Sequence, residues 1–141
     1  MKEENYEYLY HLISDCEFDN GMPNSAIEFL KGLHEDDPER CSDLIYITYK
    51  YYVDDLKFLG KLCRCLCYID INDDDPISDV AYSILKTCIE SDDAYCQEGA
   101  IMLCEELRDT YCLSLLLLHL NPYDYIIKSY ADSVIHELDL E

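Results

Sequence analysis

Basic residues are scarce in this sequence, which has 10 lysines and arginines against 31 aspartates and glutamates and a formal net charge of -21. Proteins that bind nucleic acids need basic surface to displace the counterions of the phosphate backbone, so direct binding to nucleic acids is disfavoured. Binding to anionic membrane surfaces is also disfavoured, because they repel an acidic chain. An acidic chain is instead attracted to basic partners.

Long apolar runs are also missing. The most apolar stretch, Leu115 to Leu118 with its neighbours, falls well short of the roughly 20 residues that a membrane-spanning helix needs. Residues 1–15 contain several glutamates and no apolar core, so no secretion signal is predicted. The nine cysteines are odd in number and lie within apolar helical patterns rather than in loops, which is typical of reduced thiols. These features predict a cytoplasmic protein.

Glycine and proline occur only four times each. No glycine-rich phosphate-binding loop is present, and three of the prolines follow an aspartate or asparagine, as in Asp37-Pro38 and Asp75-Pro76. An acid or amide at the N-cap with proline at the first helical position is the signature of a helix start. The prolines therefore mark where helices begin.

Alternation of β-branched residues, which would indicate strands, is absent over any useful length, whereas apolar residues recur at helical spacing. Half of the residues are apolar, which is enough for the 141-residue chain to bury a core. The sequence predicts a single all-α domain spanning residues 1–141, with short loops and antiparallel neighbouring helices. Eight helices are predicted at about 4–17, 24–34, 38–53, 55–69, 76–90, 93–107, 110–119 and 122–138.

Two helices have distinctive patterns. The fourth has two apolar stripes, which predicts that it lies between two neighbours. Its remaining positions, Lys57, Lys61, Arg64 and Tyr68, are predicted to form a solvated edge. The seventh, with the sequence YCLSLLLLHL, is apolar on nearly all sides and is predicted to be central.

A period of 36 residues relates three odd-numbered helices. An acid followed three positions later by tyrosine recurs at Glu7 and Tyr10, at Asp43 and Tyr46, and at Asp79 and Tyr82. The closest local match is between SDLIY at 42–46 and SDVAY at 78–82. In period and composition the chain resembles HEAT-like α-helical repeats over about three of its four helix pairs. The resemblance implies seven or eight short antiparallel helices in an α-solenoid or a compact helical bundle.

The segment KLCRCLCYIDINDDDP, at residues 61–76, raises the possibility of a metal site. On a helix, Cys63 and Cys67 lie on nearly the same side and Cys65 points away from them. A tetrahedral zinc site needs four converging ligands, usually from paired C-x-x-C elements, and no such pairs occur. The cysteines fall on the apolar stripes of the fourth helix, so they are predicted to be buried structural thiols.

The acidic end of that segment has the spacing of the start of an EF-hand loop, at Asp70, Asn72 and Asp74. The required glycine is replaced by Asp75, however, and Ala81 stands where the bidentate glutamate belongs. A capped turn before the fifth helix is the better interpretation, with a weak surface cation site as the alternative. We therefore predict neither a metal centre nor a cofactor.

No catalytic constellation is recognisable in the sequence. The four histidines lie far apart, and acid–base catalysis needs a positioned partner. Neither Ser114 nor Ser133 has the setting of a nucleophilic serine. The chain is therefore predicted not to be an enzyme.

Two features favour protein binding. N-caps explain one acid at each turn but not three in a row, and the surplus carboxylates repel one another unless a basic partner is present. Tyrosines such as Tyr8, Tyr52, Tyr123 and Tyr130 fall on apolar stripes and are predicted to be core, whereas others lie beside an acid, where they offer rigid contact area. The predicted partner-binding residues are Glu7, Tyr10, Asp43, Tyr46, Asp73, Asp74, Asp75, Asp79 and Tyr82.

In composition the chain is similar to small acidic immunity proteins. That resemblance implies an inhibitor that covers the active cleft of a basic toxin, such as a nuclease. A DNA-mimic inhibitor of a defence enzyme is an alternative of the same class, and its partner would be a basic nucleic-acid-binding enzyme. A helical-repeat adaptor, whose acidity serves only solubility, is the alternative of a different class. The sequence leaves the oligomeric state open.

Overall fold

The computed structural model describes residues 4–16, 25–72, 74–120 and 124–139. Within these ranges the chain is helical and contains no strand, which confirms the predicted all-α fold. The predicted boundaries differ from the observed ones by three residues or fewer. The helices are α1 (Glu4–Ser14), α2 (Ser25–Asp36), α3 (Pro38–Tyr51), α4 (Leu56–Leu66), α5 (Pro76–Glu90), α6 (Ala94–Leu107), α7 (Thr110–His119) and α8 (Tyr125–Asp139).

Aspartates begin five of these helices. Each accepts a hydrogen bond from a backbone N–H two or three residues further on, at distances of 2.9–3.2 Å. Such a bond satisfies one of the backbone donors that the first turn of a helix leaves unpaired. The capping aspartates are Asp37, Asp55, Asp75, Asp93 and Asp109.

The helices form two rows. In the odd row α1 packs on α3, α3 on α5, and α5 on α7, while in the even row α2 packs on α4, α4 on α6, and α6 on α8. Further contacts join the rows, as between α2 and α3 and between α5 and α6. This stacking agrees with the predicted solenoid or compact bundle. None of the described helices is both long and apolar enough to cross a membrane.

Helix α4 lies among α1, α2, α5 and α6, and its residues from Phe58 to Leu66 are all buried. The prediction of a solvated edge was right for Lys57 and Tyr68, which are exposed, but wrong for Lys61 and Arg64. Lys61 extends to the end of α1, where its ammonium donates a hydrogen bond of 2.6 Å to the carbonyl oxygen of Ser14. Contacts with several helices leave Lys61 and Arg64 little access to water.

Helices α4 and α6 approach closely at two glycines. A Cβ atom at Gly99 would lie 2.9 Å from the carbonyl oxygen of Gly60, and one at Gly60 would lie 2.4 Å from the ring of Tyr95. Both distances are shorter than van der Waals contact allows. The distance between the two helices therefore requires glycine at Gly99, where the obstacle is backbone, whereas at Gly60 the obstacle is the ring of Tyr95.

The prediction that α7 is central was wrong. Among the described side chains of this helix only Leu113 and Leu116 are buried, whereas Leu118 is 84% exposed and Tyr111 is 71% exposed. Helix α7 follows α5 in the odd row, and its neighbours α5, α6 and α8 leave part of its circumference uncovered. Periodicity cannot show this, because a helix that is apolar all round gives no sign of which side its neighbours cover.

Candidate protein-binding surface

The six acid and tyrosine positions of the 36-residue period lie on α1, α3 and α5, which are consecutive members of the odd row. We call them the acid–tyrosine row. The acids at its three positions are all exposed. Tyr46 is 44% exposed and Tyr82 is 37% exposed, so both reach the surface. The row consists of Glu7, Tyr10, Asp43, Tyr46, Asp79 and Tyr82.

Tyr10 is less exposed than the other two tyrosines of the row and makes contacts that join two helices. Its hydroxyl donates a hydrogen bond to the carboxylate of Asp55, and this bond raises the pKa of the phenol. Its ring stacks on that of Tyr52, with the centroids 3.7 Å apart, and lies 5.0 Å from Phe58. Tyr10 therefore links α1 to the start of α4, and Tyr46 and Tyr82 are the tyrosines of the row that remain at the surface.

A cation already lies against Tyr46. The ammonium of Lys50, one turn further along α3, lies 5.7 Å from the ring centroids of both Tyr46 and Tyr49. This distance is within the range of a cation–π attraction. The face of α3 can thus hold a lysine side chain against its exposed tyrosine.

An aromatic cluster that the sequence analysis missed lies where α1 meets the end of α3. Tyr6 stacks on Tyr51, with the centroids 4.0 Å apart, and also contacts Tyr52. Tyr51 is 56% exposed. Tyr6 and Tyr10 are one helical turn apart, and this spacing is the signal that could have predicted the cluster. Tyr8, predicted to be core, is instead 56% exposed, with its ring edge-on to that of Phe29, so that prediction was wrong.

The acidic turn before α5 is partly committed to the fold. One carboxylate oxygen of Asp75 accepts a hydrogen bond of 3.0 Å from the backbone of Ile77, and the other forms a hydrogen bond with Nε2 of His34 on α2. The Asp75 side chain is only 8% exposed. Asp74 is exposed, and Asp73 lies outside the described residues. Of the described acids of this turn, Asp74 is the one that a partner can reach.

The cysteines are free thiols, and six of them are buried, at positions 41, 63, 65, 88, 96 and 104. The other three, Cys16, Cys67 and Cys112, are partly buried. Burial raises the pKa of Cys41 to about 12, and it raises the pKa of Cys65 and of Cys104 further. Thiols of this kind are unreactive and poor metal ligands. Among the described residues no three His, Cys, Asp or Glu side chains are placed to hold a metal ion.

These observations define an all-α protein with two rows of helices and with acids and tyrosines at the surface of one row. No protein-family model, curated protein or solved structure matches the chain. Its function is therefore inferred from its own residues.

Proposed function

We propose that this protein is an acidic, non-enzymatic inhibitor that binds a basic protein and covers its active cleft, in the manner of a toxin-immunity protein. The observation that carries the proposal is the row of exposed acids on three adjacent helices, with surface tyrosines beside two of them. The proposed setting is the cytoplasm, with neither nucleic acid nor membrane as a direct partner.

Long-range electrostatic attraction is the first support for this role. A net charge of -21 steers a basic protein towards the surface and raises the rate of association. Neighbouring helices in a packed row lie about 10 Å apart, so the carboxylates of Glu7, Asp43 and Asp79 can meet lysines and arginines on one face of a partner. In the proposed complex, these carboxylates occupy the positions that substrate phosphates take in the cleft of a nuclease.

Affinity then depends on the tyrosines. Tyr46 and Tyr82 offer large rigid rings with a polar tip, and such residues are frequent hot spots of protein interfaces. The contact between Lys50 and Tyr46 supports this role, because a partner's lysine can approach the ring in the same way. Because Lys50 is exposed, a partner's cation can displace it from the ring.

Two other functions have support from single observations. Exposed carboxylates in a row also suit a DNA-mimic inhibitor of a defence enzyme, whose mechanism would be the same. The stacking of odd and even helices in two rows suits a HEAT-like repeat adaptor in a larger complex. Salt distinguishes the adaptor from both inhibitors, because an adaptor that uses acidity only for solubility would keep its partner at high ionic strength.

The experiment is a pull-down from cells of the native host at low and at high salt, followed by binding kinetics with the captured protein. The test variant combines Asp43→Asn, Tyr46→Ala and Asp79→Asn. We expect it to slow association, through the lost charges, and to weaken affinity by about 2 kcal/mol or more through the lost ring.

The matched control carries Asp132→Asn, Asp139→Asn and Tyr125→Ala, which remove the same groups from exposed positions of α8. It should bind nearly as well as the unmodified protein. An equal loss in both variants would mean that only total charge matters, and a partner that resists high salt would overturn the inhibitor in favour of the adaptor.

A further inference from the structure

A groove of about 800 Å³ runs between α5 and α7. One wall consists of Tyr111, Leu115 and Leu118, which recur at helical positions i, i+4 and i+7 of α7. The opposite wall has the same spacing on α5, at Tyr82, Lys86 and Ile89. Each stripe presents about two turns of helix surface to whatever lies in the groove. We call this feature the α5–α7 groove.

The α7 wall is unusually apolar for an exposed surface. Leu118 is 84% exposed, Tyr111 is 71% exposed and Leu115 is 37% exposed, although all three could have been polar without affecting the core. The buried side of α7, at Leu113 and Leu116, already provides its contact with the fold. Contiguous exposed apolar side chains of this kind mark interaction sites.

Charge decides what fits the groove. Glu90 lines it, and Asp92 lies at its edge, where its carboxylate is 3.6 Å from Nε2 of His119. Lys86 is the one lysine of the lining. A second copy of this chain would bring a further net charge of -21, with 10 basic residues against 31 acids. Self-association is therefore disfavoured, and a basic occupant is favoured.

We propose that the α5–α7 groove binds an amphipathic basic helix of a partner protein. The apolar stripe of that helix packs between the two walls, with anchors at the i, i+3 or i+4, and i+7 positions that such recognition uses. Lysines and arginines beside the stripe pair with Glu90 and Asp92 at the edge. The groove adjoins the acid–tyrosine row at Tyr82, but this inference depends on an apolar contact and does not require that the partner be inhibited.

The test uses a synthetic helical peptide of leucine and lysine, about 14 residues long, with its leucines on one face. A peptide of the same composition, with its leucines distributed around the helix, controls for attraction by charge alone. We expect the amphipathic peptide to bind with 1:1 stoichiometry in calorimetry, and at least about tenfold more tightly than the control peptide. Equal binding of the two peptides would overturn the proposal.

Variants then locate the site. Leu115→Gln combined with Leu118→Gln should weaken peptide binding about tenfold. Ile126→Gln, at a position that is 80% exposed on α8 and outside the groove, should leave it unchanged. All of these positions are exposed, so the variants should retain the helical circular dichroism of the parent protein. Loss of binding in the Ile126 variant instead would place the peptide elsewhere and overturn the proposal.

Two more outcomes separate this inference from the proposed inhibitor. Asp43→Asn combined with Tyr46→Ala, which alters only the acid–tyrosine row, should leave peptide affinity unchanged. If it abolishes peptide binding while the groove variant does not, the row is the site and the groove proposal fails. Sedimentation that shows a dimer dependent on Leu118 would assign the groove to a second copy and would also overturn it.

Discussion

The guanidinium of Arg64 is buried between α4 and α6, with only 8% of the side chain exposed. It donates hydrogen bonds of 2.9 Å to the carbonyl oxygen of Gly60 and 3.0 Å to that of Tyr95. The ring of Tyr95 lies 3.6 Å from its central carbon, and the carboxylate of Glu98 lies 3.6 Å away at the surface. A buried charge is tolerated only with such compensation. Arg64 therefore joins the two helices at their closest approach.

Truncation of Arg64 should destabilise the protein. We expect Arg64→Ala to lower the free energy of unfolding by about 3 kcal/mol, because it removes two hydrogen bonds and the packing against Tyr95. Lys57→Ala, on the exposed side of the same helix, should change it by less than about 0.5 kcal/mol. Urea denaturation of both variants measures the difference. Similar values for the two would show that the guanidinium contributes nothing at this position.

At the scale of elements, the distance between α4 and α6 depends on two residues without side chains. Gly60 and Gly99 face each other across the helix pair. The obstacle to a larger residue at Gly99 is a backbone oxygen, which cannot move without shifting the whole helix. The other glycine that the structure describes has no such role, since a Cβ atom at Gly32 of α2 would have no neighbour within 4 Å.

Alanine at Gly99 and alanine at Gly32 should therefore change the free energy of unfolding in opposite directions. Gly99→Ala should destabilise the protein by about 2 kcal/mol, because the added methyl group forces the helices apart. Gly32→Ala should stabilise it by about 0.8 kcal/mol, because alanine loses less conformational entropy when an exposed helix forms. Thermal or urea unfolding gives both values. A stabilising effect at Gly99 would contradict the close approach of α4 and α6.

At the scale of the whole molecule, the acidic residues determine the charge of the surface, and the buried thiols contribute to the core. The net charge of -21 acts at the surface, where it disfavours compactness and favours a basic partner. The buried cysteines act in the core as small apolar side chains. Burial raises the pKa of Cys65 and of Cys104, and hydrogen bonds between thiols raise the pKa of Cys88 and of Cys96.

These raised pKa values predict a loss of stability at high pH. Below about pH 8.5 the thiols are protonated in both the folded and the unfolded chain, so they contribute fully to the free energy of unfolding. As the pH rises further, the unfolded chain releases thiol protons that the folded chain retains. The free energy of unfolding then falls by up to about 1.4 kcal/mol per pH unit for each fully buried thiol, until the pH reaches the folded pKa.

Urea unfolding with a reductant, from about pH 7 to about pH 10, measures this decline. Cys104→Ala should reduce the slope above about pH 9 by the contribution of one thiol. The absolute stability of this variant at neutral pH serves as its own reference, so any packing defect cancels from the slope. A free energy of unfolding that stays constant between about pH 8 and pH 10 would contradict thiol burial.

Much of the candidate surface could be predicted from the sequence, because it depends on helix positions and exposed polar residues. Asp43, Tyr46, Asp79 and Tyr82 are exposed on adjacent helices, as their common phase in the 36-residue period implies. Asp75 could be predicted as an N-cap. Its hydrogen bond with His34 could not, because it joins residues that only the packing of α2 near α5 brings together.

The sequence by itself determined the helices and their starts. Apolar periodicity and a capping aspartate act within a few residues, so they need no knowledge of the fold. The tertiary structure alone decided which sides of α4 and α7 reach water. Lys61 and Arg64 are buried because several helices surround α4, and Leu118 is exposed because the neighbours of α7 leave one side of it uncovered. Burial depends on contacts between distant segments, so a helix's own pattern does not determine which of its residues those segments cover.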